Sequence, residues 1–84
     1  MRPQQLLELF LHYCAAECGL SANTLGAYRS DVGDFLRYVR PRDASELGGL
    51  DARRLVEYVD EARRRGLAPG TIWRRVVAVR MFYR

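Results

Sequence analysis

The stretch that decides the fold is residues 21–39, which read SANTLGAYRSDVGDFLRYV. Apolar side chains recur in it at three- and four-residue spacing from Leu25 to Val39, which is the period of one helix face. Ser21 offers an N-cap oxygen at its start, and Pro41 stops the pattern just beyond its end. These features predict a long amphipathic helix.

Three further helices are predicted around that one. Residues 6–18 place leucine, phenylalanine and cysteine on one helical stripe that ends at Gly19. Asp51 is placed to cap a third helix, which ends at Gly66. Pro69 fits the first turn of a fourth, where its missing N–H has no helical partner to lose. Because no alternating strand pattern or internal repeat appears, the sequence predicts an all-α fold of four helices.

The remaining chain favours a loop and a single domain. Residues 40–49 combine proline, glycine and short polar side chains, which favours a connection over any regular element. A length of 84 residues fits one domain, 1–84, with a modest core and no room for a deep enzymatic cleft.

No apolar run approaches the eighteen or so residues of a membrane span, and the N-terminus lacks a signal-peptide pattern. We therefore expect a cytoplasmic protein with no membrane partner.

The charge of the chain is basic and comes entirely from arginine. Fourteen arginines and no lysine outweigh ten acids, which leaves a formal net charge of +4 and a pI near 9.6. Such an excess favours polyanionic partners. The alternative is that arginine only solvates helix faces, so the distribution of the arginines must decide.

Catalytic and metal-binding patterns are missing from the sequence. Cys14 and Cys18 share a helix face, where a disulfide has poor geometry, so we expect two reduced, buried thiols. His12 is the only histidine and cannot complete a zinc site with them. There is no phosphate-binding loop and no nucleophile with a matching histidine motif, and acids such as Glu8 and Asp34 are interpreted as solvated surface carboxylates. The sequence predicts a binding protein without metal or cofactor.

Two helix faces are candidates for binding a polyanion. A helical wheel of the fourth helix separates a small, polar, cationic face from an inward stripe of Ile72, Val76, Val79 and Tyr83. Arginine can bind phosphate or guanine bidentately, and threonine and alanine let a helix approach closely. The second helix begins with small residues, and its free N–H groups and dipole suit phosphate. The candidate DNA-binding residues are Asn23, Thr24, Ala27, Arg29 and Ser30 in the second helix and Thr71, Arg74, Arg75 and Ala78 in the fourth.

Other interpretations of these residues remain open. The start of the second helix can be simple capping, and Arg29 can pair with an acid such as Asp31 instead of a phosphate. Trp73, Val77 and Met81 form an apolar flank of the fourth helix that is broader than one neighbouring helix can cover. Core packing, a further domain or another subunit can account for that flank. A helical protein-interaction module is therefore the alternative function.

The order of residues along the second and fourth helices resembles a known family. The pattern is Ser21-x-x-Thr24-x-x-x-Tyr28-Arg29-x-Asp31-Val32-x-x-Phe35, followed by Gly66-Leu-Ala-Pro-Gly-Thr71-Ile-x-Arg74-x-Val76-x-Ala78-Val-Arg80-x-Phe-Tyr83. It is similar to the N-terminal core-binding domain of tyrosine recombinases, the phage integrase and Xer-like site-specific recombinases. The resemblance implies a SAM-like orthogonal bundle of four helices on one side of a duplex DNA half-site, with the second and fourth helices crossing the major groove.

Matched residue by residue, the resemblance implies contacts from both helices. They are Thr24, Ala27 and Ser30 in the second helix and Thr71, Arg74 and Ala78 in the fourth. It also implies that the first helix meets a neighbouring recombinase protomer, and that strand cutting belongs to a separate C-terminal domain. This chain is then a non-catalytic, DNA-binding fragment. Two positions depart from the family pattern, since Ala68 offers no side-chain cap to the fourth helix and Gly26 offers no contact side chain.

Overall fold

The structure is a computed structural model that describes residues 1–41, 43–49 and 51–83. It contains four α-helices, α1 (Pro3–Ala16), α2 (Ala22–Val39), α3 (Ala52–Arg64) and α4 (Pro69–Phe82), and the described residues form no strand. The prediction of an all-α fold with four helices is confirmed. The predicted loop contains one short regular element, a 3-10 helix at Ala44–Glu46. Arg42 in that loop, Leu50, and Arg84 at the end of the predicted domain lie outside the described residues.

The helices begin where local sequence signals place them. The Ser21 hydroxyl accepts a hydrogen bond of 3.2 Å from the backbone N–H of Thr24, and the Asp51 carboxylate accepts one of 2.9 Å from that of Arg53. Both predicted caps are therefore confirmed. α4 begins at a proline, and Ala68 precedes it in an extended conformation without a side-chain cap, as the sequence requires.

Two helices are followed by the glycines that the sequence predicts at their ends. Gly19 (φ +63°) and Gly66 (φ +83°) occupy the left-handed region after α1 and α3, which glycine adopts without a Cβ clash. α1 nevertheless stops at Ala16, before Cys18. Cys14 is buried and Cys18 is exposed, so the prediction of two buried thiols is wrong for the second, which lies beyond the helix face that carries the first. Burial, helped by the neighbouring thiol, raises the pKa of Cys14.

The helices pack so that α2 and α4 form the centre. α2 contacts α1 and α4, and α3 packs against α4. One core cluster joins α1, α2 and α4, and a second joins α2, α3 and α4. The buried members of the first are Leu7, Leu11, Val32, Leu36 and Ala78, and those of the second are Phe35, Tyr58 and Val79.

This packing gives α4 two buried sides. The predicted inward stripe is confirmed at Ile72 and Val79, which are buried, while its other two members are half-buried. Ala78, which was predicted to face outward, has no exposed surface, and the side chain of Arg75 is only 13% exposed. The outward prediction is wrong for these two residues because a helix between two neighbours buries a second stripe, here the one against α2. A helical wheel with a single inward direction cannot show that stripe.

Within the part of the chain that the structure describes, no helix is long and apolar enough to cross a membrane. The same residues contain no group of three or more metal-ligating side chains placed to hold an ion.

Candidate nucleic-acid interface

A row of small and polar side chains lies along the first half of α2. Asn23, Ala27 and Ser30 follow one another at four- and three-residue spacing and so share a helix face. Asn23 and Ser30 are exposed, and Ala27 is half-buried. Thr24 is half-buried beside this row, and its Oγ1 accepts a hydrogen bond of 3.1 Å from the Ser21 hydroxyl. The row carries no bulky side chain and can be approached closely by a large ligand.

One ion pair connects this part of α2 to α4. Arg74 donates from Nε and Nη2 to the two carboxylate oxygens of Asp31, each at 2.9 Å. Asp31 is completely buried, whereas 48% of the Arg74 side chain is exposed. Asp31 lies one turn after Ala27, and half-buried Thr71 lies one turn before Arg74. The pair therefore brings the candidate residues of the two helices to a common edge.

Arg75 lies in a second, more enclosed cluster. Its Nη1 pairs with Asp34 and donates to the Tyr58 hydroxyl at 3.3 Å. Its buried Nε finds no hydrogen-bond partner among the described residues and lies 3.8 Å from Asp31 Oδ1. Asp34 also accepts from the Tyr58 hydroxyl at 2.6 Å and from Arg65 Nη2 at 2.9 Å. Arg75 thus links α2, α3 and α4 inside the protein and is not placed to reach a ligand.

This cluster corrects the interpretation of Asp34 as a solvated surface acid. Its side chain is 13% exposed. Burial by itself raises the pKa of Asp34, but hydrogen bonds from Arg65 and Tyr58 and the charge of Arg75 outweigh burial and hold that pKa well below its usual range. Burial and the hydrogen bond to Asp34 raise the pKa of Tyr58 to about 12. The carboxylate is therefore charged and the phenol neutral at pH 7.

Arg29 lies on another side of α2. It pairs with Glu8 of α1, and both side chains are substantially exposed. The acid that it meets is Glu8 and not Asp31, because residues two apart on a helix do not face each other and Asp31 is buried against α4. An exposed pair of this kind contributes little to stability, and a phosphate can compete for the arginine.

Sequence reasoning missed the pairing of the two α2 acids with the two adjacent α4 arginines. The signal was present as acids at positions 31 and 34 of one helix and arginines at 74 and 75 of another. Spacing within a helix says which residues share a face, but it does not say which other helix that face meets. The partners of Asp31 and Asp34 therefore required the packed structure.

The apolar flank of α4 is partly uncovered. Trp73 is 65% exposed, and Val77 and Met81 are half-buried. Beside Trp73, a groove of about 490 Å³ runs between α3 and α4, and its lining includes Val59 and Ile72. The expectation that one neighbouring helix leaves part of this flank free is confirmed.

Comparison with known proteins gives consistent matches. The family model described as "Phage integrase, N-terminal SAM-like domain" matches residues 7–84. A protein named tyrosine recombinase XerC from Herpetosiphon aurantiacus is 32% identical over 80 residues, which is 95% of this chain and 26% of that protein. Those of the same name from Xylella fastidiosa and Roseiflexus sp. are each 35% identical, over 94% and 92% of this chain and 27% and 25% of their own length. The chain thus spans about a quarter of the length of these relatives. No solved structure gives a significant match.

Proposed function

Because the chain belongs to the family of phage integrase N-terminal SAM-like domains, we propose that it binds duplex DNA sequence-specifically as the N-terminal domain of a site-specific tyrosine recombinase. In this proposal the parent protein acts in DNA recombination or integration in the cytoplasm, together with other protomers on the DNA. Strand cutting belongs to another domain of that protein, and this chain contributes binding alone.

The proposal rests on one edge of the protein, where Asn23, Ala27 and Ser30 on α2 (the α2 row) lie next to Arg74 of α4. Small and hydroxyl side chains let a duplex approach, and an arginine beside them supplies charge and directional N–H donors. The proposed surface consists of Asn23, Thr24, Ala27 and Ser30 on α2 and Thr71 and Arg74 on α4. Ala78 is left out because it is buried, and Arg75 because only 13% of its side chain is exposed and it pairs with Asp34. Arg29 lies to one side of the surface.

The charge of the molecule supports the same function. The chain carries a formal net charge of +4. Within the described residues, Arg53 and Arg64 of α3 are exposed, and no acid forms an ion pair with either guanidinium. Such charges raise the rate of encounter with a polyanion and make binding sensitive to salt.

The test is duplex binding at two salt concentrations, measured by electrophoretic shift with a duplex of about 30 base pairs, some three helical turns. Arg74→Ala should weaken binding about tenfold and lower the salt dependence by about one phosphate contact. Arg80→Ala is the control for the loss of one positive charge, because Arg80 is an exposed arginine of the same helix pointing away from Arg74. Circular dichroism must show that both variants are folded, since Arg74→Ala removes two hydrogen bonds from the buried Asp31 carboxylate. No binding at low salt, or equal losses in the two variants, would contradict the proposal.

A second function, a helical protein-interaction module, is favoured by the exposed Trp73 and the apolar groove beside it. Light scattering with and without duplex DNA separates the two functions. Self-association that is indifferent to DNA supports the interaction module, whereas complex formation with the duplex supports DNA binding.

A further inference from the structure

We propose that Asp31 is a positioning residue for DNA binding, which holds the guanidinium of Arg74 in one orientation so that its outer edge receives a backbone phosphate. The inference rests on the proposed function and extends it to a residue that cannot itself touch DNA, since Asp31 has no exposed surface.

The geometry of the ion pair leaves one edge of Arg74 free. A guanidinium carries five N–H donors in a rigid plane. Asp31 takes one from Nε and one from Nη2, in two bonds of equal length, 2.9 Å. Among the described residues, the donors of Nη1 and the second donor of Nη2 have no partner, and about half of the side chain is exposed. Those donors are arranged for two oxygens of a single phosphate.

The two hydrogen bonds to Asp31 also fix the direction in which the free edge of the Arg74 guanidinium points. A long side chain normally loses rotamer freedom when it binds a ligand, which weakens binding. Arg74 loses that freedom already in folding, because both oxygens of a buried carboxylate hold its plane. Burying a carboxylate is costly, and an apolar residue can fill such a site at least as favourably. The charge of buried Asp31 is compensated by Arg74 and by Arg75, whose Nε lies 3.8 Å away, and the pairing with Arg74 leaves that guanidinium oriented at the proposed surface.

Simple electrostatics predicts the opposite effect of Asp31. As an anion next to Arg74, it reduces the positive potential that attracts DNA, so its removal should strengthen binding if Arg74 acts only as a point charge. If Asp31 positions Arg74, its removal should weaken binding although the net charge becomes more positive. The sign of the change separates these two roles.

The experiment compares the wild-type chain with Asp31→Asn and Asp60→Asn by fluorescence anisotropy on a mixed-sequence duplex of about 30 base pairs. Asp60 is an exposed acid of α3 next to Arg63, so Asp60→Asn makes the same change in charge away from the proposed surface. We expect Asp31→Asn to bind about tenfold more weakly, and Asp60→Asn to bind as tightly as wild type or slightly more tightly. A folded Asp31→Asn chain that binds as tightly as wild type, or more tightly, overturns the inference.

Arg74→Lys keeps the test decisive if Asp31→Asn does not fold, as judged by circular dichroism. Lysine preserves the charge but lacks the planar fork, so it cannot hold both carboxylate oxygens and present a second fixed edge. We expect a loss of about fivefold in affinity with little change in salt dependence. Unchanged affinity of folded Arg74→Lys overturns the inference. If the wild-type chain itself does not bind the duplex, the proposed function fails and the inference fails with it.

Discussion

At the scale of single residues, the two adjacent arginines of α4 have different environments. Arg74 is half exposed and bound to Asp31, whereas Arg75 is 13% exposed and bound to Asp34 and Tyr58. Successive residues of a helix point about 100° apart, and this rotation takes one guanidinium to the surface edge and the other beneath it. A count of arginines therefore overstates the charge that this part of α4 offers to a ligand.

Tyr58→Phe should lower the free energy of unfolding by about 1–3 kcal/mol. The substitution keeps the ring against Phe35 and Tyr38 but removes the hydroxyl, which donates to Asp34 at 2.6 Å and accepts from Arg75 at 3.3 Å. Urea unfolding followed by circular dichroism measures the change. Tyr13→Phe is the control, since Tyr13 is 57% exposed and should tolerate the loss with little effect.

The raised pKa of the Tyr58 hydroxyl predicts that the stability of the fold decreases at alkaline pH. The pKa of Tyr58 is about 12 in the folded chain, above the value of about 10 for an unfolded tyrosine. The folded state holds this proton more tightly, so the associated stability is complete below about pH 10 and is lost as pH rises through about 12. Tyr58→Phe should show a smaller alkaline loss than wild type. If the free energy of unfolding falls equally with rising pH in the two chains, the Tyr58 hydroxyl is not the group responsible for the alkaline loss.

At the scale of elements, α4 is defined by its place between α2 and α3. Ile72 and Val76 of its predicted inward stripe line the groove toward α3 together with Val59. Its side against α2 carries Ala78, which packs in the same cluster as Leu7, Leu11 and Val32. One turn before Ala78, Arg74 reaches Asp31 of α2 with a hydrogen bond of 2.9 Å.

Ala78→Leu should destabilise the fold by about 1–3 kcal/mol, because the added atoms have no space in a packed core. The melting temperature of a domain of this size should fall by roughly 4–8 °C for each kcal/mol. Arg80→Leu, at an exposed position of the same helix, should change stability by less than about 0.5 kcal/mol. Thermal unfolding compares the two variants. Equal stability of Ala78→Leu and wild type would place Ala78 on the surface after all.

At the scale of the whole molecule, charged and apolar surfaces lie on different sides of α4. The edge with Arg74 faces the α2 row, and the groove beside Trp73 lies toward α3. DNA binding and protein association are therefore separable by experiment, since each function predicts a change at a different surface.

The fluorescence of Trp73 should show whether the apolar groove beside it is covered in solution. It is the only tryptophan in the chain, and it is 65% exposed in the fold. An isolated folded chain should therefore show emission close to that of the unfolded chain and efficient quenching by acrylamide, at all protein concentrations. Blue-shifted, protected emission that grows with concentration would instead indicate association through the groove. Repeating the titration with duplex DNA shows whether DNA alters that association.

The sequence identifies many of the residues of the candidate site, but it does not show which of them contact one another or which are buried. The small residues Asn23, Ala27 and Ser30 share a face because of their spacing, and the structure leaves Asn23 and Ser30 exposed and Ala27 half-buried. Arg74 was identified as a surface cation, but its tie to Asp31 was not, because those residues are 43 positions apart. Ala78 was assigned to the wrong environment because its burial depends on α1 and α2.

The sequence by itself determined the four helices and most of their ends, although α1 stops at Ala16, before the predicted Cys18. Caps such as Ser21 and Asp51, the left-handed glycines after α1 and α3, and the proline at the start of α4 all act on neighbouring backbone groups, so local chemistry is sufficient. Only the tertiary structure decided which sides of α4 are buried and which arginine meets which aspartate. Those outcomes depend on where three helices meet, and packing between distant segments sets that geometry through volume and charge pairing together.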